Sequence, residues 1–285
     1  MAKKICICGA GTMGNGIAQV SAQSGFSTVL YDLSEEYLAK AKSKIEKDFQ
    51  NLVDKKKITE TEKENDLARL HFTNNINDCK ADIVIEAIIE KIEAKENLFG
   101  LLSEINSRET IFATNTSSLS VTEIARTIIQ PERVIGMHFF NPAPIMKLVE
   151  VVNTDYTKED TTRTIFELAR QFGKTPVLCK DKPGFIVNHV ARPYYLEALR
   201  LIEKGIANFE TIDTLMETSG FKMGPFKLMD LIGNDINYAV SCSVYEAMNK
   251  PERLKPSAIQ EARVSKNELG KKTRKGYYDY NHIGI

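Results

Sequence analysis

Apolar runs of four to six residues alternate with longer amphipathic stretches along the first two-thirds of the chain. Ile5–Cys8 is apolar throughout, the pattern of a strand buried on both faces, and Phe26–Tyr31, apolar or branched except for Ser27, reads as the second strand. Further strands are predicted at Arg69–Thr73, Asp82–Glu86, Thr110–Thr114, Arg133–His138, Lys147–Val152 and Thr175–Cys179. Between them the spacing turns helical. Leu38, Ala41, Ile45, Phe49 and Leu52 share one helix face, Thr59–Arg69 forms a second helical piece, and Leu98, Leu101, Leu102 and Ile105 mark the helix Glu93–Ile105. Helices are also expected around Val121–Arg126 and from about Lys158 to Phe172. Strand–helix alternation of this kind predicts an α/β fold with a doubly wound sheet. The helices at 38–69 exceed an ordinary crossover and read as a helical hairpin inserted after the second strand.

The register changes at Lys182-Pro183-Gly184, after which no further strand pattern occurs. Ile186, Val190, Tyr194, Ala198 and Leu201 predict one helical stripe, with a kink expected at Pro193. Ile212, Leu215 and Met216 mark a second helix ended by Gly220, Phe226–Met248 a third, and Pro256–Val264 a fourth. Residues 1–183 are therefore expected to form a Rossmann-type domain and 184–285 an all-α domain.

Composition narrows the partners. Lys plus Arg and Asp plus Glu both total 38, so the net charge is zero and favours neither nucleic acid nor an anionic membrane. No apolar run approaches a membrane span, and the chain enters its first strand without a leader pattern. The five cysteines, an odd number mostly in apolar segments, read as reduced thiols of a cytoplasmic protein. Cys6-x-Cys8 points two thiols to one sheet face, but no second ligand pair follows in sequence, so no metal is expected.

The first strand runs into Gly9-Ala-Gly-Thr-Met-Gly14, a G-x-G-x-x-G turn. Gly9 permits the turn, Gly11 admits a pyrophosphate to the backbone, and Gly14 lets the next helix pack on its strand. The following helix offers its free N–H groups and positive dipole end to that anion. Asp32 ends the second strand, where a carboxylate holds an adenosine ribose and repels a 2′-phosphate, and Leu33-Ser34 provide no Arg for one. The expected cofactor is NAD. Outside the carboxyl ends of the strands, where such sheets carry their reaction site, His138 closes one strand and Glu150 lies among branched apolar residues of the next, each six residues from Pro144. Folded back about that proline they meet, the carboxylate fixing one imidazole nitrogen and leaving the other to carry a substrate proton. A satisfied core histidine and an exposed strand glutamate are the alternative.

Six segments then occur together in order: Gly9–Gly14, Asn115-Thr-Ser-Ser118, Gly136-Met-His-Phe-Phe-Asn-Pro142, Lys147-Leu-Val-Glu150, Lys182-Pro-Gly-Phe-Ile-Val-Asn188 and Met223-Gly-Pro-Phe226. With these the chain resembles the L-3-hydroxyacyl-CoA dehydrogenase family, most of all its monofunctional bacterial 3-hydroxybutyryl-CoA branch. The resemblance runs from residue 3 to the closing Lys275-Gly-Tyr-Tyr-Asp-Tyr280. It implies an NAD-dependent interconversion of (S)-3-hydroxyacyl-CoA and 3-oxoacyl-CoA. His138 would be the base, Glu150 its partner, Ser117 a contact to the substrate's 3-oxygen and Asn188 a substrate-placing amide. Taken without the family, Ser117 reads as a helix cap and Asn188 as a helix-face amide. The resemblance also places Thr12, Met13, Glu90, Lys95 and Asn115 beside Gly9, Gly11, Gly14 and Asp32 along the cofactor. The lysine-rich helix with Lys47 and Lys55 would face the coenzyme A phosphates, and the helical domain would form a homodimer. Glu90, Lys95 and the lysine-rich helix read equally as solvated charged faces. His189 and Gly233-Asn-Asp-Ile depart from the family's usual pattern. No hydratase pattern is read in these 285 residues, so the crotonase-type step that often accompanies this reaction is expected from another protein. Two other functions stay open: a dehydrogenase of a free hydroxy acid or sugar acid, and a nucleotide-binding protein without turnover. The related β-hydroxyacid dehydrogenases use a lysine where this chain has Gly184, and the intact His138–Glu150 pair weighs against loss of turnover.

Overall fold

The computed structural model describes residues 4–281, which divide into two compact units between Lys182 and Pro183. The first unit runs β1 (Lys4–Cys8), α1 (Thr12–Gln23), β2 (Ser27–Tyr31), α2 (Glu35–Asp54), α3 (Glu60–Ala68), β3 (Leu70–Thr73), β4 (Ile83–Glu86), α4 (Ile92–Ile105), β5 (Ile111–Thr114), α5 (Val121–Ala125), β6 (Val134–Phe139), β7 (Leu148–Asn153), α6 (Glu159–Gln171) and β8 (Thr175–Lys180). The eight strands form one sheet in the order β3-β2-β1-β4-β5-β6-β7-β8. It is parallel from β3 to β6; β7 then pairs antiparallel to β6, and β8 runs parallel to β7. The order reverses between β1 and β4, the crevice where such sheets bind nucleotides at the strands' carboxyl ends.

Local chemistry accounts for the elements. β1 and β4 are buried almost from end to end, as continuous Ile-rich runs require. α2 starts on Ser34, whose hydroxyl accepts from the Tyr37 amide, and it buries Leu38, Ala41, Ile45 and Phe49. α3 opens on a reciprocal capping box between Thr59 and Glu62. Ile5 and Ile7 on β1 face a core that includes Ile17, Val20, Ile45 and Phe49, while Cys6 and Cys8 point to the opposite face.

The second unit contains α7 (Val187–Glu203), α8 (Phe209–Thr218), α9 (Pro225–Ile232), α10 (Asn234–Ala247) and α11 (Ala258–Ser265) around Leu196, Leu199, Phe226, Met229 and Val244. Two expectations change here. The single helix expected over Phe226–Met248 is two, because Gly233 adopts φ 105° and separates α9 from α10. The stripe on α7 is also displaced. Val190 is 68% and Leu201 37% exposed, whereas Tyr195, Leu196 and Leu199 are buried with Ala198. α7 runs unbroken through Pro193.

Two buried carboxylates organise this unit. Asp213 accepts from the amides of Phe226 and Lys227 at 2.9 Å each, capping α9 from a distance, and from the Tyr278 hydroxyl at 2.7 Å. Asp230 accepts from the amides of Tyr277 and Tyr278, both 3.0 Å, and so fastens the Lys275–Tyr280 segment. A Cβ on Gly276 would lie 2.0 Å from Asp230 Oδ1, so only glycine fits. Among the described residues no helix is long and apolar enough to cross a membrane.

Candidate functional site

The carboxyl ends of β1, β2, β4, β5 and β6 carry most of the chemistry-bearing residues of the first unit. Gly9 has φ +104°, and a Cβ there would sit 2.5 Å from the Ala87 carbonyl oxygen. A Cβ on Gly14 would sit 1.7 Å from the Gly9 carbonyl oxygen, so the third glycine lets α1 lie directly against the turn. Gly11 is different: nothing lies within 4 Å of its Cβ position. It is also the N-cap of α1, with no side-chain cap and no acidic residue in the first turn, which begins with Thr12 and Met13. The turn thus presents open backbone and unneutralised N–H groups to an anion. Asp32 steadies it, with Oδ2 accepting from the Ala10 amide at 2.8 Å and Oδ1 from the Ser34 amide at 2.9 Å. A carboxylate has about four acceptor positions, so some remain for a ribose diol. These residues fit a dinucleotide with an unphosphorylated ribose. They would hold NAD by its pyrophosphate at Gly11–Gly14 and by its adenosine ribose at Asp32.

At the ends of β4 and β5 lies a buried ionic network. Lys95, which the charge pattern left as a solvated helix face, is 1% exposed. Its ammonium bonds Glu86 Oε1 at 2.5 Å and lies 3.2 Å from Glu90 Oε2. Glu86 also accepts from the Thr114 hydroxyl at 2.6 Å and the Ile88 amide at 2.7 Å. Burial raises the Glu86 carboxyl above its usual range against the opposing pull of Lys95. Burial acts the same way on Glu90, but Lys95, the Thr116 hydroxyl and the Ser117 amide outweigh it and hold that carboxyl low. Glu90 Oε1 accepts from Thr116 Oγ1 at 2.6 Å and the Ser117 amide at 2.9 Å. Glu90 therefore fixes the loop that carries Ser117. Asn115 ties β5 to β6, its side-chain oxygen accepting from the Phe139 amide at 2.8 Å. Sequence reasoning passed over Glu86. Ile83-Val-Ile-Glu86 has the same signature as the segment around Glu150, a carboxylate in a branched apolar run.

His138 and Glu150 are direct partners in the antiparallel β6–β7 register. His138 Nδ1 and Glu150 Oε2 are 2.7 Å apart, with the residues 5% and 1% exposed. The imidazole also rests on Phe140, ring centroids 4.6 Å apart. The turn joining the two strands is held from beneath. The Lys174 ammonium donates to the carbonyl oxygens of Ala143 and Met146. Burial, with Lys147 adding to it, pulls the Lys174 ammonium down to about 8. A Cβ on Gly16 would lie 3.0 Å from Pro144 Cδ, so α1 supports the same turn.

Asn188 belongs to the second unit, in the first turn of α7, where its carbonyl accepts from Arg192 Nε at 3.2 Å. Arg192 is 3% exposed and also donates to the Asn237 carbonyl at 2.9 Å and the Ser241 hydroxyl at 2.8 Å. Lys47 on α2 and Lys55 at its C-cap are both exposed and join no ion pair among the described residues. Lys40 and Lys44 on the same helix are engaged by Glu36 and Asp48.

Two family models match this chain: 3-hydroxyacyl-CoA dehydrogenase, NAD binding domain, over residues 4–182, and 3-hydroxyacyl-CoA dehydrogenase, C-terminal domain, over 184–280. The chain is 46% identical over 278 residues to the 3-hydroxyadipyl-CoA dehydrogenase of Escherichia coli (strain K12), covering 97% of itself but only 58% of that longer relative. It is 39% identical over 280 residues to the 3-hydroxybutyryl-CoA dehydrogenase of Clostridioides difficile, covering 98% of itself and 99% of the relative. Among solved structures, the (S)-3-hydroxybutyryl-CoA dehydrogenase from Ralstonia eutropha superposes with a TM-score of 0.94 at 36% identity, over 99% of this chain and 100% of that one.

Proposed function

We propose, from the premise that this chain belongs to the 3-hydroxyacyl-CoA dehydrogenase family, that it interconverts (S)-3-hydroxyacyl-CoA and 3-oxoacyl-CoA with NAD, and that its substrate is the short 3-hydroxybutyryl-CoA. The observation that carries the reading is the buried 2.7 Å contact between His138 Nδ1 and Glu150 Oε2. With Nδ1 engaged by the carboxylate, exchange of the substrate's 3-hydroxyl proton falls to Nε2. Glu150 then lowers the free energy of the imidazolium formed as that proton arrives. Bound NAD supplies the hydride acceptor. Ser117, on the loop fixed by Glu90, is the donor to the substrate's 3-oxygen, and Asn188 completes its placement. Lys47 and Lys55 hold the coenzyme A phosphates, which suits two exposed ammonium groups without acidic partners.

The decisive assay follows NADH oxidation with acetoacetyl-CoA, longer 3-oxoacyl-CoA esters, a dicarboxylyl thioester of the 3-oxoadipyl type, and free acetoacetate. Faster turnover of acetoacetyl-CoA than of every other substrate is expected. Equal turnover of free acetoacetate sinks the thioester assignment, and a preference for the dicarboxylyl ester moves the substrate toward that of the Escherichia coli relative. We also infer a homodimer formed through the second unit, whose Leu215, Leu231 and Ile236 are 62%, 51% and 48% exposed. A light-scattering mass of a single chain would reject it. We also infer a reducing cytoplasm, from an odd count of five cysteines placed mostly in apolar segments.

A further inference from the structure

Cys6-x-Cys8 has no second ligand pair in the sequence, but the fold supplies a third thiol. Cys79 follows the short helical turn Ile76–Asp78 and meets both cysteines on the face of β1 turned away from α1. All three are 0% exposed, and their sulfurs lie within 4.8 Å of one another, Cys6 and Cys8 at 3.8 Å. A metal–sulfur bond of about 2.3 Å needs donor sulfurs roughly 3.4–3.8 Å apart, so a small contraction closes the triangle. A disulfide between Cys6 and Cys8 is the harder closure. Residues two apart on a paired strand have Cα atoms about 6.6 Å apart, near the upper limit for that bond.

We propose that Cys6, Cys8 and Cys79 form a three-thiolate site for a trivalent thiophilic metalloid, seated against the dinucleotide turn. Three soft donors without oxygen or nitrogen select thiophilic ions. Burial selects the charge, because a dry pocket penalises any net charge left on the complex. Three thiolates on a divalent ion leave one negative charge, whereas three on trivalent arsenic leave none. The exchange balances as arsenous acid plus three thiols giving the tris-thiolate and three waters: three As–O and three S–H bonds break, three As–S and three O–H bonds form, and no oxidation state changes.

The site adjoins the turn directly. Cys8 precedes Gly9, its carbonyl accepts from the Ala87 amide at 2.7 Å, and the Gly9 amide donates to the Tyr31 carbonyl at 2.7 Å. Drawing the three sulfurs together pulls on the end of β1, so loading should weaken NADH binding.

The test titrates the reduced full-length chain with arsenite, using a phosphine reductant that offers no competing thiol. Native mass spectrometry should show one arsenic gained and three hydrogens lost per chain, with As–S charge-transfer absorption rising to one equivalent. Cys79→Ser and, separately, Cys79→Ala should weaken binding at least about tenfold, since two thiolates remain. Cys179→Ser and Cys242→Ser should bind as the parent does. A folded parent chain that gains no arsenic, or loses only two hydrogens, overturns the proposal, as does undiminished binding by either Cys79 variant. The loaded protein should bind NADH at least about threefold more weakly, with recovery on adding a dithiol; an unchanged NADH affinity overturns the coupling to the turn.

Discussion

Replacing Glu150 with Gln tests the proposed chemistry at one atom. The side chain keeps its shape, and its amide oxygen can still accept from His138 Nδ1, so the strand register and buried volume persist. What disappears is a negative charge whose oxygen lies 2.7 Å from the ring, in a pair almost wholly shielded from water. A charge-assisted hydrogen bond contributes about 1.5–3 kcal/mol, and opposite charges about 4 Å apart in surroundings of effective dielectric near 20 attract by about 4 kcal/mol. The neutral imidazole of the ground state gains little of this, and the imidazolium formed during proton transfer gains most. A loss of about 2–4 kcal/mol confined to the transition state corresponds to about 30- to 1,000-fold in kcat.

Stopped-flow measurement of NADH absorbance, with and without deuterium at the transferred position, isolates the chemical step. NADH affinity by fluorescence and Tm report on the cofactor site and the fold. The expected result is a fall in the isotope-sensitive rate within that range, with NADH binding altered by less than about threefold. A rate within about threefold of the parent while the full isotope effect is expressed would refute the dyad. So would a loss of NADH affinity as large as the loss in rate, since Glu150 would then be acting on cofactor binding.

The dinucleotide turn separates into two kinds of glycine. Gly11→Ala, with open space at its Cβ, should fold normally and weaken NADH about tenfold or more, whereas Gly14→Ala should lose about 3 kcal/mol of stability or more through its 1.7 Å clash. Paired Tm and NADH titrations check both, and unchanged affinity in Gly11→Ala would remove the pyrophosphate from that position. Lys95→Met strands the Glu86 carboxylate and should cost about 3–5 kcal/mol at neutral pH in urea unfolding, and less as the pH falls, because burial already raises that carboxyl and favours its protonated form. Adding Glu86→Gln should restore most of the loss. Lys174 gives a pH signature. Its folded value of about 8 lies below the ordinary 10.5, so the unfolded chain binds that proton more tightly between the two and stability rises with pH across this window, by at most about 3 kcal/mol. The difference between parent and Lys174→Met stability should carry that rise, and a flat difference from about pH 7.5 to 10 would contradict it.

The parts of this molecule legible in its sequence are those encoded by neighbours. The Gly9–Gly14 turn, Asp32 at the end of β2 and the strand–helix alternation are local patterns, and the fold keeps them in their local places. The register of β6 and β7 is also legible, because a tight turn centred near Pro144 leaves few pairings that bury both flanks. What escapes is set by partners distant in the chain. The pattern Phe226, Met229, Ile232, Ile236, Val240 and Val244 keeps a helical period straight through Gly233, so the break depends on one left-handed residue that periodicity cannot register. On α7 the apolar Val190 faces outward while the cation Arg192 is buried, because carbonyl and hydroxyl groups of α7 and α10 satisfy it. Hydropathy scores the side chain and cannot see those oxygens.

Charge patterns mislead most where burial is deepest. Lys95 belongs to a helical turn rich in charge, and its spacing is that of a solvated face. Only the strand end beneath it, carrying Glu86, turns that face into a buried network that sets Glu90 and, through Glu90, the Ser117 loop. Among the described residues a carboxylate in a buried apolar strand occurs twice, at Glu86 and at Glu150, and each time the acid meets a cation or imidazole supplied by another element. A lone carboxylate in such a place costs too much to keep. An acid that interrupts a branched apolar run therefore implies a partner elsewhere in the chain. For Ile83-Val-Ile-Glu86 the nearest cation on the following helix face is Lys95, and the need of the acid for a counter-charge places that ammonium inside the protein, against the reading that its helical spacing alone supports.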